Sequence, residues 1–209
     1  MAIAALAQGD KVAVIDHSAE CPHAPAGAFV VAGVDLTDPD AAIVALEKAH
    51  AELGGLDALL NIAGGFRWET VQDGSPATWA DLYRLNVVTA LNASRAAIPF
   101  LKGSAAGRIV NVGAAGALKV ALGMGAYAAS KGGVHALTQA LAEELKSEGI
   151  TVNAVLPSII DTPQNRADMP KADPSLWVAP GDLAAVILFL ASEQAGAVTG
   201  ALLPVTGKV

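Results

Sequence analysis

Tyr127 and Lys131 stand four residues apart in the run Tyr127-Ala128-Ala129-Ser130-Lys131. On a helix this spacing puts both side chains on one face, about 6 Å apart along the axis. A free phenol, with a pKa of about 10, exchanges protons poorly at neutral pH. A neighbouring ammonium stabilises the phenolate, so the pairing predicts a lowered Tyr127 pKa and a group able to move a proton. Such a pair alone is common on surface helices, and its meaning depends on what converges on it. Asn86 lies inside an apolar helical stretch, where a buried amide without partners is costly. Asn61-Ile62-Ala63-Gly64 closes one apolar run, Asn111 ends another, and Pro157-Ser158-Ile159-Ile160-Asp161-Thr162 follows a third.

The elements around these residues must place them. Lys11–Ile15, Ala28–Val34, Leu56–Ala63, Arg108–Gly113, Ile150–Leu156 and Ala201–Val205 are short apolar runs that read as strands. Asp38-Pro39 opens a helix running to Gly54, Ser75-Pro76 opens one reaching about Leu101, and a third runs from Ala126 to Glu148 before Gly149. Pro180–Ser192 makes another. Strands apolar on both faces, separated by helices, imply an α/β fold with a doubly wound parallel sheet. Its ligand crevice lies at the carboxyl ends of the strands, where every candidate above falls.

Apolar residues make up 53% of the chain and charged residues 16%, which excludes disorder and fits one domain over residues 1–209. A net charge of −7 argues against a nucleic-acid partner. Cys21, the single cysteine, forms no internal disulfide and suits a reducing compartment. Leu183–Ala191, the longest apolar stretch, falls far short of the about 20 residues of a bilayer span, and no secretory layout opens the chain. A soluble cytoplasmic protein with no membrane partner is expected.

Taken in order, the Asn61–Gly64 motif, the helical Asn86, Tyr127-x-x-x-Lys131 and the Pro157–Thr162 string resemble the short-chain dehydrogenase/reductase superfamily over the whole chain. The resemblance implies a Rossmann-like fold and an NAD(P)H-dependent oxidoreductase acting on a small molecule, with no metal. Tyr127 would be the general acid, Lys131 would bind the nicotinamide-ribose hydroxyls, and Asn86 would hold a water of a proton relay. Asn61, Ala63 and Gly64 would line the adenine-ribose side; Pro157, Ile160 and Thr162 would meet the nicotinamide, with Ser158 where the family has glycine. Asp16, at a strand end, would accept from both ribose hydroxyls and repel a 2′-phosphate, favouring NAD while leaving NADP open. Asp35 would flank the adenine. Small residues beside Tyr127, including Ala128, Ala129, Gly132 and Gly133, suit the close helix contacts of a homodimer or homotetramer.

Two departures from the family pattern matter. Ala114 stands thirteen residues before Tyr127, where the family has a catalytic serine, and no serine or threonine occurs from Val112 to Ala126. Dihydropteridine reductases also lack that hydroxyl. Ala63-Gly64-Gly65, Gly123-Met124, Val134-His135 and the string from Leu156-Pro157 through Asp161-Thr162-Pro163 to Trp177 resemble that branch. A quinonoid dihydropterin is already electron-poor and needs less polarisation; Trp68, Met124 and Trp177 are candidates to frame its flat ring. Second, the glycine-rich loop that precedes the strand-end acid by about 20 residues has no room ahead of Asp16. Met1–Gln8 reads as the end of the first helix, with Gly9 after it. The first strand and its pyrophosphate-binding amides are therefore expected to be missing from this polypeptide. A start upstream of Met1, a truncated chain, or a natural shortened relative would each account for that. In the last case the chain would be a catalytically silent binding or assembly module.

Overall fold

Short strands and helices alternate along the computed structural model, which describes residues 1–209. The order is α1 (Ala2–Ala7), β1 (Ala13–Ile15), β2 (Phe29–Val31), α2 (Pro39–Leu53), β3 (Ala58–Asn61), α3 (Pro76–Tyr83), α4 (Thr89–Leu101), β4 (Arg108–Val112), α5 (Gly125–Leu145), β5 (Thr151–Pro157), α6 (Pro163–Asp168), α7 (Pro180–Ala191) and β6 (Leu202–Val205). Local chemistry sets the ends. The Asp38 carboxylate accepts from Asp40 N–H, Pro39 supplies a first-turn residue that needs no donor, and Gly54 takes the left-handed conformation at φ 79°. Ser75 and Pro76 repeat the device at α3. The helix expected from Ser75-Pro76 to about Leu101 spans that length, but a π-helical turn, Arg84–Val88, interrupts it.

Every ladder is parallel, and helices cover both faces. One core joins Ala42 and Leu46 of α2, Leu59 of β3, Ala93, Ala97 and Leu101 of α4, and Leu141 and Leu145 of α5. On the other face Val110 and Val155 pack under Leu183, Ile187 and Leu190 of α7. All seven residues of β5 are buried, and each large apolar side chain so enclosed contributes about 1.5–3 kcal/mol.

The strands form two sheets, β1-β2 and β3-β4-β5-β6, and no ladder joins β1 to β3, where the strand expected to be missing would lie. Helix packing holds the two together: α2 lies against both β1-β2 and α4, and Ile15 and Leu36 pack against the larger core. No helix is long and apolar enough to cross a membrane.

Candidate active site

The carboxyl ends of β1, β3, β4 and β5 carry Asp16, Asn61, Val112 and Pro157. The first turns of α5 bring Tyr127 and Lys131 to that edge. Lys131 Nζ donates to the carbonyl of Val112, the last residue of β4, at 2.8 Å. Gly64 passes so close that a Cβ there would lie 2.6 Å from Asn86 Oδ1 and 3.2 Å from Lys131 Nζ. Only glycine lets the loop after β3 run between those two polar groups.

Asn86 sits in the π-helical turn and fastens that loop. Its Oδ1 accepts from Gly65 N–H at 2.9 Å; its Nδ2 donates to Gly65 O at 3.1 Å and to Ser130 Oγ at 2.9 Å. Ser130 Oγ in turn donates to Tyr127 O at 2.8 Å. Both amide protons are thus spent on protein partners, and the side chain holds the loop and the Tyr127 turn. The Asn61 side chain is likewise held by the protein. Its Nδ2 donates to Asn111 Oδ1 at 2.8 Å and Ser94 Oγ at 3.1 Å, and Asn111 donates onward to Thr138 Oγ1 at 2.9 Å. These protons face the interior, leaving the exposed Ala63 and Gly64 to border the rim.

The Tyr127 hydroxyl has no hydrogen-bond partner in the chain, and Phe66 meets its ring edge-on at 4.9 Å between centroids. The expected lowering of its pKa is reversed. Burial raises it, because the phenolate would lose its hydration there. Burial also pushes Lys131 down to about 8. Both shifts favour the uncharged form.

The remaining candidates border the same edge. Asp16 is exposed, and its Oδ1 accepts from Ser18 N–H at 2.8 Å. Asp35 accepts from Thr37 N–H at 2.8 Å; its hydrogen bonding to Thr37, then the charges of Arg84 and His17, hold its pKa below the usual range. After β5, Thr162 caps α6 through Asn165 N–H at 3.2 Å, Asn165 Nδ2 donates to Ile160 O at 2.7 Å, and Arg166 grips both Asp161 oxygens at 2.6 and 2.8 Å. The loop is stiff before anything binds. Trp177 is only 7% exposed and belongs to the packed interior, so it does not frame an open ring site as expected. Trp68 is exposed and lies on Gly123, whose φ of +74° and 2.1 Å Cβ clearance exclude any side chain.

Sequence reasoning noted His135 beside Val134 but gave it no role at the site. Its ring is buried one turn beyond Lys131, and its Nε2 accepts from Ala114 N–H at 3.3 Å. Only the i, i+4, i+8 spacing of Tyr127, Lys131 and His135 could have signalled it.

A parallel sheet with this edge, and the Tyr-Lys pair at it, define a dehydrogenase-type α/β fold. The chain belongs to the short chain dehydrogenase family, whose sequence profile matches residues 1–173. It is 34% identical to an inactive 2-(S)-hydroxypropyl-CoM dehydrogenase 2 of Xanthobacter autotrophicus, over 99% of this chain and 98% of that one. It is 31% identical to the 3-oxoacyl-[acyl-carrier-protein] reductase FabG of Vibrio cholerae, over 83% and 75%. Among solved structures, Thermoplasma acidophilum aldohexose dehydrogenase superposes with a TM-score of 0.88 at 28% identity, covering 99% of this chain and 87% of that one. Mycobacterium avium carveol dehydrogenase in complex with NAD gives 0.81 at 26%, covering 94% and 87%. None of these four names a pteridine, and the dihydropterin expectation finds no support among them.

Proposed function

We propose that the chain, as one domain over residues 1–209, is an NAD(P)-dependent oxidoreductase that interconverts a carbonyl and a hydroxyl on a small molecule. The observation that carries this reading is the Tyr127 hydroxyl, free of protein partners and kept protonated by burial, one turn from Lys131 at the strand ends. The NAD-bound neighbour and the reductase and dehydrogenase relatives support it.

The residues fit the nicotinamide end of such a cofactor. Lys131 has two N–H groups left after its bond to Val112 O, and the Thr162 and Ile160 loop is already braced; at the other end Asp16 presents a carboxylate to the adenosine ribose. When bound, the cofactor gives or takes a hydride. In reduction Tyr127 hands its proton to the forming alkoxide, and Lys131 orients the ribose. Ala114 contributes no hydroxyl, which leaves Tyr127 to polarise the carbonyl alone. Exposed Trp79, Tyr83 and Leu85 on and after α3 support assembly as a homodimer or homotetramer, which sedimentation velocity would show as a species above monomer mass.

The test is steady-state reduction of a ketone panel and a quinonoid dihydropterin with NADH and NADPH. NADH-dependent turnover of a carbonyl substrate is expected, and Tyr127→Phe is expected to lower kcat by about 10²–10⁴-fold. Equal turnover by the variant would remove Tyr127 from the mechanism. Absence of turnover with every substrate would favour a silent module.

A further inference from the structure

We propose that His135 is a positioning residue: as a hydrogen-bond acceptor it fastens the segment leaving β4 to α5, and thereby sets the place of Tyr127 over the substrate. The inference rests on the oxidoreductase reading of Tyr127. Two side chains on the Tyr127 face of α5 grip consecutive parts of the same segment. Lys131 Nζ holds Val112 O at 2.8 Å, and Ala114 N–H is held by His135 Nε2 at 3.3 Å. Gly113 lies between them with no room to spare, since a Cβ would come within 2.5 Å of both His135 Nε2 and Leu156 Cδ2. The register of α5 against the end of β4 is fixed by this pair of bonds.

An accepting Nε2 means that the ring is neutral with its proton on Nδ1. Burial, then the Lys131 charge, lowers the His135 pKa and so favours that state. Lys131 is the charged group acting on the ring from α5; Gly113, Ala114 and Leu156, its neighbours from β4 and β5, carry none. Protonating Nε2 sets a donor against the Ala114 donor and an imidazolium beside an ammonium. The segment after β4 then loses its tether opposite Tyr127. Activity should fall with acid through His135 although Tyr127 stays protonated.

The test pairs His135→Gln, whose Oε1 can accept near the Nε2 position without titrating, with His135→Leu, which cannot accept. In the wild type kcat should fall on the order of tenfold as the pH drops through the imidazole pKa and then level off. His135→Gln should lose that acid limb. His135→Leu should lower kcat on the order of tenfold at every pH while leaving the NADH KM unchanged, and His135→Gln should recover most of the loss. In the unliganded protein the Ala114 amide resonance should follow the His135 titration in wild type and not in His135→Gln. An acid limb that persists in His135→Gln, or an Ala114 resonance indifferent to the imidazole, overturns the proposal. A wild type without turnover removes the oxidoreductase reading instead, and the resonance arm then decides whether the tether exists.

Discussion

Burial makes Tyr127 a reluctant acid and Lys131 a reluctant cation. For Lys131 the folded pKa of about 8 lies below its ordinary 10.5. Between those values the unfolded chain binds a proton that the folded chain does not, so stability rises with pH across that window. Urea titrations between pH 8 and 9.5 should show a slope of about 1.4 kcal/mol per pH unit at most, flattened in Lys131→Met. A wild-type slope that Lys131→Met leaves intact would assign the effect elsewhere. Gly64 is a second single-residue test. Its Cβ position is 2.6 Å from Asn86 Oδ1, so Gly64→Ala must displace the amide that holds Gly65. A loss of about 1–3 kcal/mol in denaturation is expected, with a lower kcat. Tyr127, Lys131 and Asn86 were singled out by their spacing and setting together with the family resemblance. The direction of the Tyr127 shift was not legible there, because spacing says nothing about how much water the hydroxyl loses on folding.

At the level of elements, the site depends on one irregular turn. The π-helical Arg84–Val88 turn places Asn86 where three of its hydrogen bonds reach Gly65 and Ser130. Asn86→Asp would keep an acceptor for Gly65 N–H and lose both donors. It would also set a negative charge near Lys131, raising that pKa above about 8. Carbon-13 NMR of labelled lysine would read the shift, and an unchanged Lys131 would show that the two groups do not communicate. Sequence signals anticipated the regular ends well: Asp38-Pro39, Ser75-Pro76, Gly54 and Gly149 all sit where caps and left-handed residues must. They missed the π turn because the apolar periodicity of the helix continues on either side of it. They also missed the inward turn of the Asn61 side chain, whose partners Ser94 and Asn111 are 33 and 50 positions away in the chain.

Over the whole molecule, the absence of a ladder between β1 and β3 divides the strands into unequal parts. β1 and β2 share three register pairs, whereas β4 is paired on both sides and β5 is fully buried. Hydrogen exchange should therefore find Val14, Ile15 and Val31 opening more readily than Val110, Val152 and Val155. Equal protection in the two sets would show that they unfold as one unit. The parallel, helix-covered architecture followed from the alternation of apolar runs and helices. The division agrees with the same reading, since the strand expected to be missing belongs at the centre of such a sheet. One consequence concerns distance. Asp16 and Asp35 stand at one side of the break and Tyr127 at the other. The span between them is set by how α2 leans on α4, not by any strand rung, so a substitution at Ala42 or Leu46 reaches the far end of the cleft without touching it.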